Sequence, residues 1–137
     1  MKTQKWGVVI MLLMQSCNPV EPDSQQWVPE ELIGQWKTVA VFDSDGSNEP
    51  RWRDYQSDKT YDIWYKENGE YASFDFTYND QCNDGTYSVN KKYEITFYTP
   101  CAGIYIVQID SLFGDTLIID ANHFEFIKTK SFRVGIK

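Results

Sequence analysis

The sequence predicts an all-β fold: an eight-stranded antiparallel up-and-down barrel, preceded by a short N-terminal helical turn. Three observations predict it. Aromatic residues, which β-strands favour, make up 16% of the 137 residues. Apolar and polar side chains alternate with a period of two along several segments, and no window shows a long 3.6-residue period. Connections of two to six residues separate most of these segments, which favours strands that pair with their chain neighbours.

The N-terminus has the pattern of an export signal. Lys2 and Lys5 precede an apolar run, residues 8–14, that is far shorter than the roughly 20 residues a membrane-spanning helix needs. The run ends at Gln15-Ser16-Cys17, and residues 12–17 resemble the lipobox of bacterial lipoproteins. That resemblance implies a signal peptide over residues 1–16, cleavage before Cys17 and acylation of Cys17, and two or three acyl chains would anchor the protein stably.

A polar tether and a helical turn are expected next. Residues 17–28 carry the lipidated cysteine and a Pro-containing, polar stretch with no core-forming pattern. Pro29 with Glu30 and Glu31 then favours one helical turn, because Pro suits the first helical position and acids suit the helix N-terminus. The barrel domain is therefore predicted over residues 29–137.

Eight strands follow in the prediction. They cover residues 35–43, 61–66, 70–78, 86–89, 93–98, 104–111, 116–120 and 123–130, and residues 131–137 are a possible extension of the last. Asn68-Gly69 between the second and third strands is a strong hairpin signal. Closing eight such strands into a barrel would remove the exposed edges. The one long connection, residues 44–60, is expected to be a lid or a binding loop.

The cysteine count also fits export. If Cys17 carries lipid, Cys82 and Cys101 remain as a pair in an oxidising compartment, where a disulfide is the default. If Lys91-Lys92 is the two-residue turn between the fourth and fifth predicted strands, the residue numbers of each paired position add up to 183. The numbers of Cys82 and Cys101 also add up to 183. The predicted hairpin therefore brings the two cysteines opposite each other, and a one-residue change of register would leave them near.

Several short motifs resemble those of lipocalins, and in particular of small bacterial lipocalin-like lipoproteins. They are Gly34-Gln35-Trp36 at the start of the first strand, the hairpin of residues 65–71, Gly85-Thr86-Tyr87, and residues 110–119. The resemblance covers residues 30 to about 133. It implies that Trp36 closes one end of the barrel beneath Arg133, a cation over an indole face. A barrel of this size is filled by its own side chains or holds one small ligand.

Catalytic and metal-binding patterns are lacking in the sequence. His123 is the one histidine, and the sequence contains no glycine-rich phosphate loop, nucleophile elbow or zinc-type Cys spacing. Residues 43–54 have calcium-loop features, but Asn48 stands at the glycine position and Asp54 at the bidentate Glu position, which favours a polar turn. We therefore expect no enzyme activity, no cofactor and no metal.

The net charge of the protein limits the classes of partner that it is expected to bind. The formal charge is −7, and removal of residues 1–16 would leave about −9, which argues against nucleic acid. The first functional hypothesis is a membrane-anchored lipoprotein that binds a small apolar or aromatic ligand. The candidate ligand residues are Trp52, Tyr61, Tyr65, Phe74, Phe76 and Tyr87. The alternative is a filled barrel that binds or inhibits a protein partner, for example a lysozyme-type enzyme. The lipoprotein resemblance implies the outer membrane, on the periplasmic side or at the cell surface, because Asn18 is not the acid that holds many such proteins at the inner membrane.

Overall fold

A closed, eight-stranded antiparallel barrel is the architecture of this protein, seen in a computed structural model that describes residues 27–44, 49–74, 83–100, 103–121 and 128–135. One 3₁₀ turn, Glu30–Leu32, precedes the strands. The strands are β1 Gly34–Asp43, β2 Arg51–Asp54, β3 Ile63–Tyr65, β4 Glu70–Ser73, β5 Asp84–Val89, β6 Glu94–Thr99, β7 Gly103–Phe113, β8 Thr116–Asp120 and β9 Lys128–Gly135. The predicted fold class is confirmed.

Nine strands make eight barrel positions because β2 and β3 share one edge of β1. Ala40 pairs with Asp54 of β2 on one side and with Lys130 of β9 on the other. Trp36 pairs likewise with Ile63 of β3 and with Arg133 of β9. The predicted connection over residues 44–60 therefore contains a wall strand, and the prediction of one uninterrupted loop there was wrong.

The β5–β6 hairpin differs from its predicted register by one residue. Tyr87 pairs with Phe97 and Val89 with Ile95, so paired positions sum to 184. The turn has three residues, Lys91, Lys92 and Tyr93, and Tyr93 adopts a φ of 61°, as in a type I turn followed by a left-handed residue. This register places buried side chains opposite buried side chains, whereas the predicted one would pair each with an outward-facing residue.

The barrel interior is filled by large side chains. Trp36, Tyr65, Tyr71, Tyr87 and Ile95 are fully buried and belong to one apolar cluster. The rings interlock: Tyr65 lies edge-on to Tyr87 with centroids 5.1 Å apart, and Tyr71 lies edge-on to Phe97 at 4.9 Å. Such edge-to-face pairs add to the gain from burying their area.

Trp36 and Arg133 lie together at one end of the barrel, here called the Trp36 end. The Arg133 guanidinium carbon is 4.8 Å from the Trp36 ring centroid. Arg133 Nη1 donates to the Ile33 carbonyl at 3.2 Å, and Nη2 donates to the Glu31 carbonyl. Trp36 Nε1 donates to the Leu32 carbonyl at 2.8 Å. The structure thus brings together the pair that the lipocalin resemblance implied, and Arg133 ties β9 to the 3₁₀ turn.

Two residues assigned to the tether contact the barrel. Trp27 forms an isolated antiparallel bridge with Val89, and Val28 packs against the core. The other residues of the predicted tether, the signal peptide, Cys17, Cys82, Cys101 and Phe76 lie outside the described residues. Within the described part of the chain, no helix is long and apolar enough to cross a membrane.

Candidate functional site

The residues proposed to line an interior cup do not surround one cavity. Tyr65 and Tyr87 are fully buried in the packed core. Tyr87 Oη donates to the Lys66 carbonyl at 2.9 Å, which holds its ring in place. Tyr61 and Phe74 contact each other with ring centroids 5.0 Å apart, and Phe74 is 44% exposed. These side chains are therefore divided between the core and the surface.

Trp52 lies on the outer surface of the barrel wall, at the opposite end of β1 from Trp36. Its ring centroid is 5.5 Å from that of Phe42, its cross-strand partner on β1. Val41 and Asp43 are buried, so the alternation of side chains along a strand turns Phe42 outward. Trp52 remains 43% exposed. Its indole thus presents an accessible apolar face beside a second ring.

An open pocket of about 350 Å³ adjoins these two rings. Its described lining residues, which define the Trp52 pocket, are Phe42, Trp52, Asp110, Ser111, Ile118 and Lys128. The volume falls within the range of small-molecule sites, roughly 300–1,000 Å³. Ile118 reaches it because its neighbour Leu117 is buried in the core, which turns Ile118 outward. One wall of the pocket is therefore aromatic and another aliphatic.

A charged network forms the polar rim of the pocket. Lys128 Nζ forms a salt bridge with Asp110 and lies 3.7 Å from Asp120 Oδ2. The hydrogen bond to Asp110 raises the pKa of Lys128 above its usual range, so the ammonium stays charged at neutral pH. The rim thus offers one fixed cation and carboxylate oxygens beside the aromatic wall.

Arg53, next to Trp52 in the sequence, forms an ion pair with Asp43. Arg53 Nε donates to Asp43 Oδ1 at 2.6 Å and Nη2 to Oδ2, a bidentate pair with a buried carboxylate. Because Asp43 is occupied in this way, it is poorly placed to begin a calcium loop. Among the described residues, no three acidic, histidine or cysteine side chains are grouped as metal ligands.

Comparison with known proteins adds no relative. Neither a known protein family, nor a curated protein, nor a solved structure matches this sequence. The function must therefore be inferred from the site itself.

Of the residues that line the Trp52 pocket, only Trp52 was predicted as a site residue from the sequence. Phe42 and Ile118 could have been found as outward-facing apolar residues of two predicted strands. Asp110 and Lys128 lie 18 positions apart in the chain and meet only because β7, β8 and β9 are neighbours. The pocket also needs the closing pair β1–β9, which brings Phe42 and Trp52 beside these strands, so the pocket depends on the tertiary fold.

Proposed function

We propose that this protein is a lipid-anchored lipoprotein of the bacterial cell envelope that binds a small apolar or aromatic ligand in the Trp52 pocket. The observation that supports the ligand site is the difference between the barrel interior and its outer wall. The rings of Tyr65, Tyr71 and Tyr87 fill the interior, while the indole of Trp52 lies half-exposed over an open space of about 350 Å³. The ligand site is therefore on the outside of the wall and not in the barrel cup.

The pocket chemistry limits the class of ligand. The rings of Trp52 and Phe42 offer stacking surface, and Ile118 offers an aliphatic contact. Lys128 and Asp110 at the rim suit a ligand with a polar or ionised group at one end. A flat apolar molecule with one polar end fits this arrangement, because a few polar groups usually orient a ligand in a mainly apolar site.

Binding of 8-anilinonaphthalene-1-sulfonate to the processed protein tests the pocket. We expect the probe fluorescence to saturate with the unaltered protein. The Trp52→Ala variant should bind the probe with at least fivefold lower affinity. Trp27→Ala is the matched control, since Trp27 is 45% exposed and lies near the other end of the barrel. Equal probe affinity of Trp52→Ala and the unaltered protein would refute the site, as would a loss of the same size in Trp27→Ala.

The anchor is a second, separate part of the proposal. It is supported by the order of Lys2, Lys5, the short apolar run and Cys17. We expect labelled palmitate to be incorporated when the chain is expressed in a Gram-negative host, and the Cys17→Ser variant to remain unlabelled and uncleaved. An unaltered protein that carries no label would contradict the lipoprotein assignment but leave the ligand site untouched.

A protein partner is the second candidate function, and one surface feature favours it. Tyr98, Ile104 and Ile106 are 43%, 65% and 49% exposed on the outer faces of β6 and β7, and Tyr98 pairs with Ile104. Exposed apolar groups on adjacent strands suit an interface. If native mass spectrometry shows a protein without a bound small molecule and the probe does not bind, this candidate is preferred. Inhibition of a lysozyme by the unaltered protein, but not by the Ile104→Glu variant, would support it.

A further inference from the structure

We infer that the β5–β6 turn and the adjoining Trp27 dock onto the headgroup layer of a phospholipid bilayer. This inference rests on the proposed lipid anchor. The surface, here called the turn patch, consists of Trp27, Lys91, Lys92 and Tyr93. It holds the barrel in a defined orientation on the membrane instead of leaving it free at the end of a tether.

The path of the chain brings this patch to the membrane. Trp27 forms its bridge with Val89, two residues before the turn begins at Lys91. Trp27 lies only ten positions after Cys17 in the chain, and such a segment spans at most about 35 Å. An acylated Cys17 therefore keeps Trp27 and the β5–β6 turn within that distance of the bilayer.

The patch has the composition of a membrane-interface contact. The rings of Trp27 and Tyr93 meet edge to face with centroids 5.8 Å apart, and they are 45% and 47% exposed. Tryptophan and tyrosine are enriched at the headgroup level because each has an apolar body and a polar tip. The exposed Lys91 and Lys92 lie beside them, in a protein whose net charge is −7.

The charges around the turn leave the lysines available for phosphate. Within the described residues, neither lysine forms a salt bridge. The nearby Glu94 accepts a hydrogen bond from Asn90 Nδ2 at 2.6 Å and so is held within the turn. Lysines near a membrane surface are attracted to anionic lipid headgroups.

The backbone of Tyr93 gives a second, independent reason. Its φ of 61° is left-handed, a conformation that glycine adopts without cost and tyrosine does not. Ile109 N–H donates to the Tyr93 carbonyl at 2.8 Å and Tyr93 N–H donates to Asn90, so these bonds maintain the conformation. An exposed aromatic side chain in a backbone conformation that favours glycine is a strained position of the kind that clusters at functional sites.

Tryptophan quenching on vesicles tests the docking. The acylated protein is placed in vesicles of phosphatidylcholine and phosphatidylglycerol, with part of the phosphatidylcholine brominated near the headgroup. We expect quenching in the unaltered protein, loss of most of it in Trp27→Phe, and its retention in Trp52→Phe. The double variant Lys91→Glu, Lys92→Glu should lose at least half of the quenching. The control double variant Arg51→Glu, Lys59→Glu reverses the same number of charges outside the turn patch and should not.

Tyr93→Gly separates docking from folding. We expect this variant to remain folded, because glycine adopts the left-handed conformation without strain although the ring contact with Trp27 is lost, but to be quenched less. Equal quenching of the unaltered protein and Trp27→Phe, in protein whose mass shows the acyl chains, overturns the docking alone. A mass without acyl chains overturns the proposed anchor, and this docking mode with it.

Discussion

Gly85 occupies a point where three strands approach closely. A Cβ added at this position would lie 2.3 Å from the Tyr98 carbonyl oxygen of β6 and 2.8 Å from Cε1 of Tyr71, the β4 partner of Gly85. Glycine weakens a strand but permits such an approach. The missing side chain therefore makes room for the buried Tyr71 ring.

The Gly85→Ala variant is expected to lose roughly 1–3 kcal/mol of unfolding free energy, the usual cost of overpacking a core. The carbonyl is backbone and cannot rotate away, so the strands themselves must shift. Urea denaturation measures the loss. Ser88→Ala on the same strand is the control and should change stability by less than about 0.5 kcal/mol, as is usual at positions away from the core.

Single positions also show where sequence reasoning reaches its limit. Alternation correctly predicted that Ile95 and Phe97 share a face, and both are buried. It could not tell that Tyr93, two residues earlier in the same pattern, is 47% exposed in a left-handed turn. Only glycine or asparagine would have signalled that conformation in the sequence.

At the scale of elements, Asp62 bridges the break between β2 and β3. The chain leaves the barrel wall after β2 and returns at β3, so β1 loses its main-chain partner in between. The Asp62 carboxylate replaces that partner: Oδ2 accepts from Thr38 N–H at 2.6 Å, and Oδ1 accepts from the Ser57 hydroxyl. Asp62 is 9% exposed, so one carboxylate completes the wall.

We expect Asp62→Ala to lower the unfolding free energy by roughly 1–3 kcal/mol, since it leaves the Thr38 amide without an acceptor. Asp62→Asn should cost less, because an amide oxygen still accepts from Thr38. Thermal melts of both variants, with Ser57→Ala beside them, give the order. An Asn variant as unstable as the Ala variant would show that the charge matters and not the hydrogen bond.

Strands were predictable to the extent that their side chains alternate. The prediction for β8, residues 116–120, coincides with the strand, because Leu117 faces the core between two outward neighbours. The β2 strand was missed because all four of its side chains are exposed and no alternation marks it. Its pairing depends on the main chain of β1, which leaves no signature in the sequence.

For the whole molecule, the topology was easier to predict than the location of the site. Short connections imply that neighbouring strands pair, and the pairing of β1 with β9 confirms the predicted closure of the barrel. Whether the barrel is hollow depends on how large side chains pack in three dimensions. The inward-facing Tyr65 and Tyr87 are equally compatible with a lined cup and with a filled core. The contact between these two rings shows that side chains fill the barrel interior. We therefore place the proposed ligand site on the outer surface of the barrel.

The filled core makes the whole barrel sensitive to alkali. Burial raises the pKa of Tyr65, Tyr71 and Tyr87 above the ordinary value. Below pH 10 both folded and unfolded states keep these protons, so the three groups have no effect on the pH dependence of stability. Above it the unfolded chain ionises while Tyr65 and Tyr87 of the folded chain do not, so stability falls by roughly 1.4 kcal/mol per pH unit for each of these two, and Tyr71 acts in the same direction. We expect loss of near-ultraviolet circular dichroism together with the rise of tyrosinate absorbance.

Two conservative variants separate the hydroxyl groups. Tyr65 Oη has no hydrogen-bond partner among the described residues, so Tyr65→Phe should leave stability at pH 7 unchanged or higher and make the alkaline decline less steep. Tyr87→Phe should also reduce the decline, but it gives up the bond to Lys66 and should lose roughly 0.5–1.5 kcal/mol at pH 7. Denaturation at pH 7 and pH 11 measures both effects. The exposed tyrosines ionise first, so the buried ones are followed as the part of the tyrosinate absorbance that each variant lacks. If that part rose well before unfolding, water would reach these rings in the native barrel, and the interior would be open to a ligand after all.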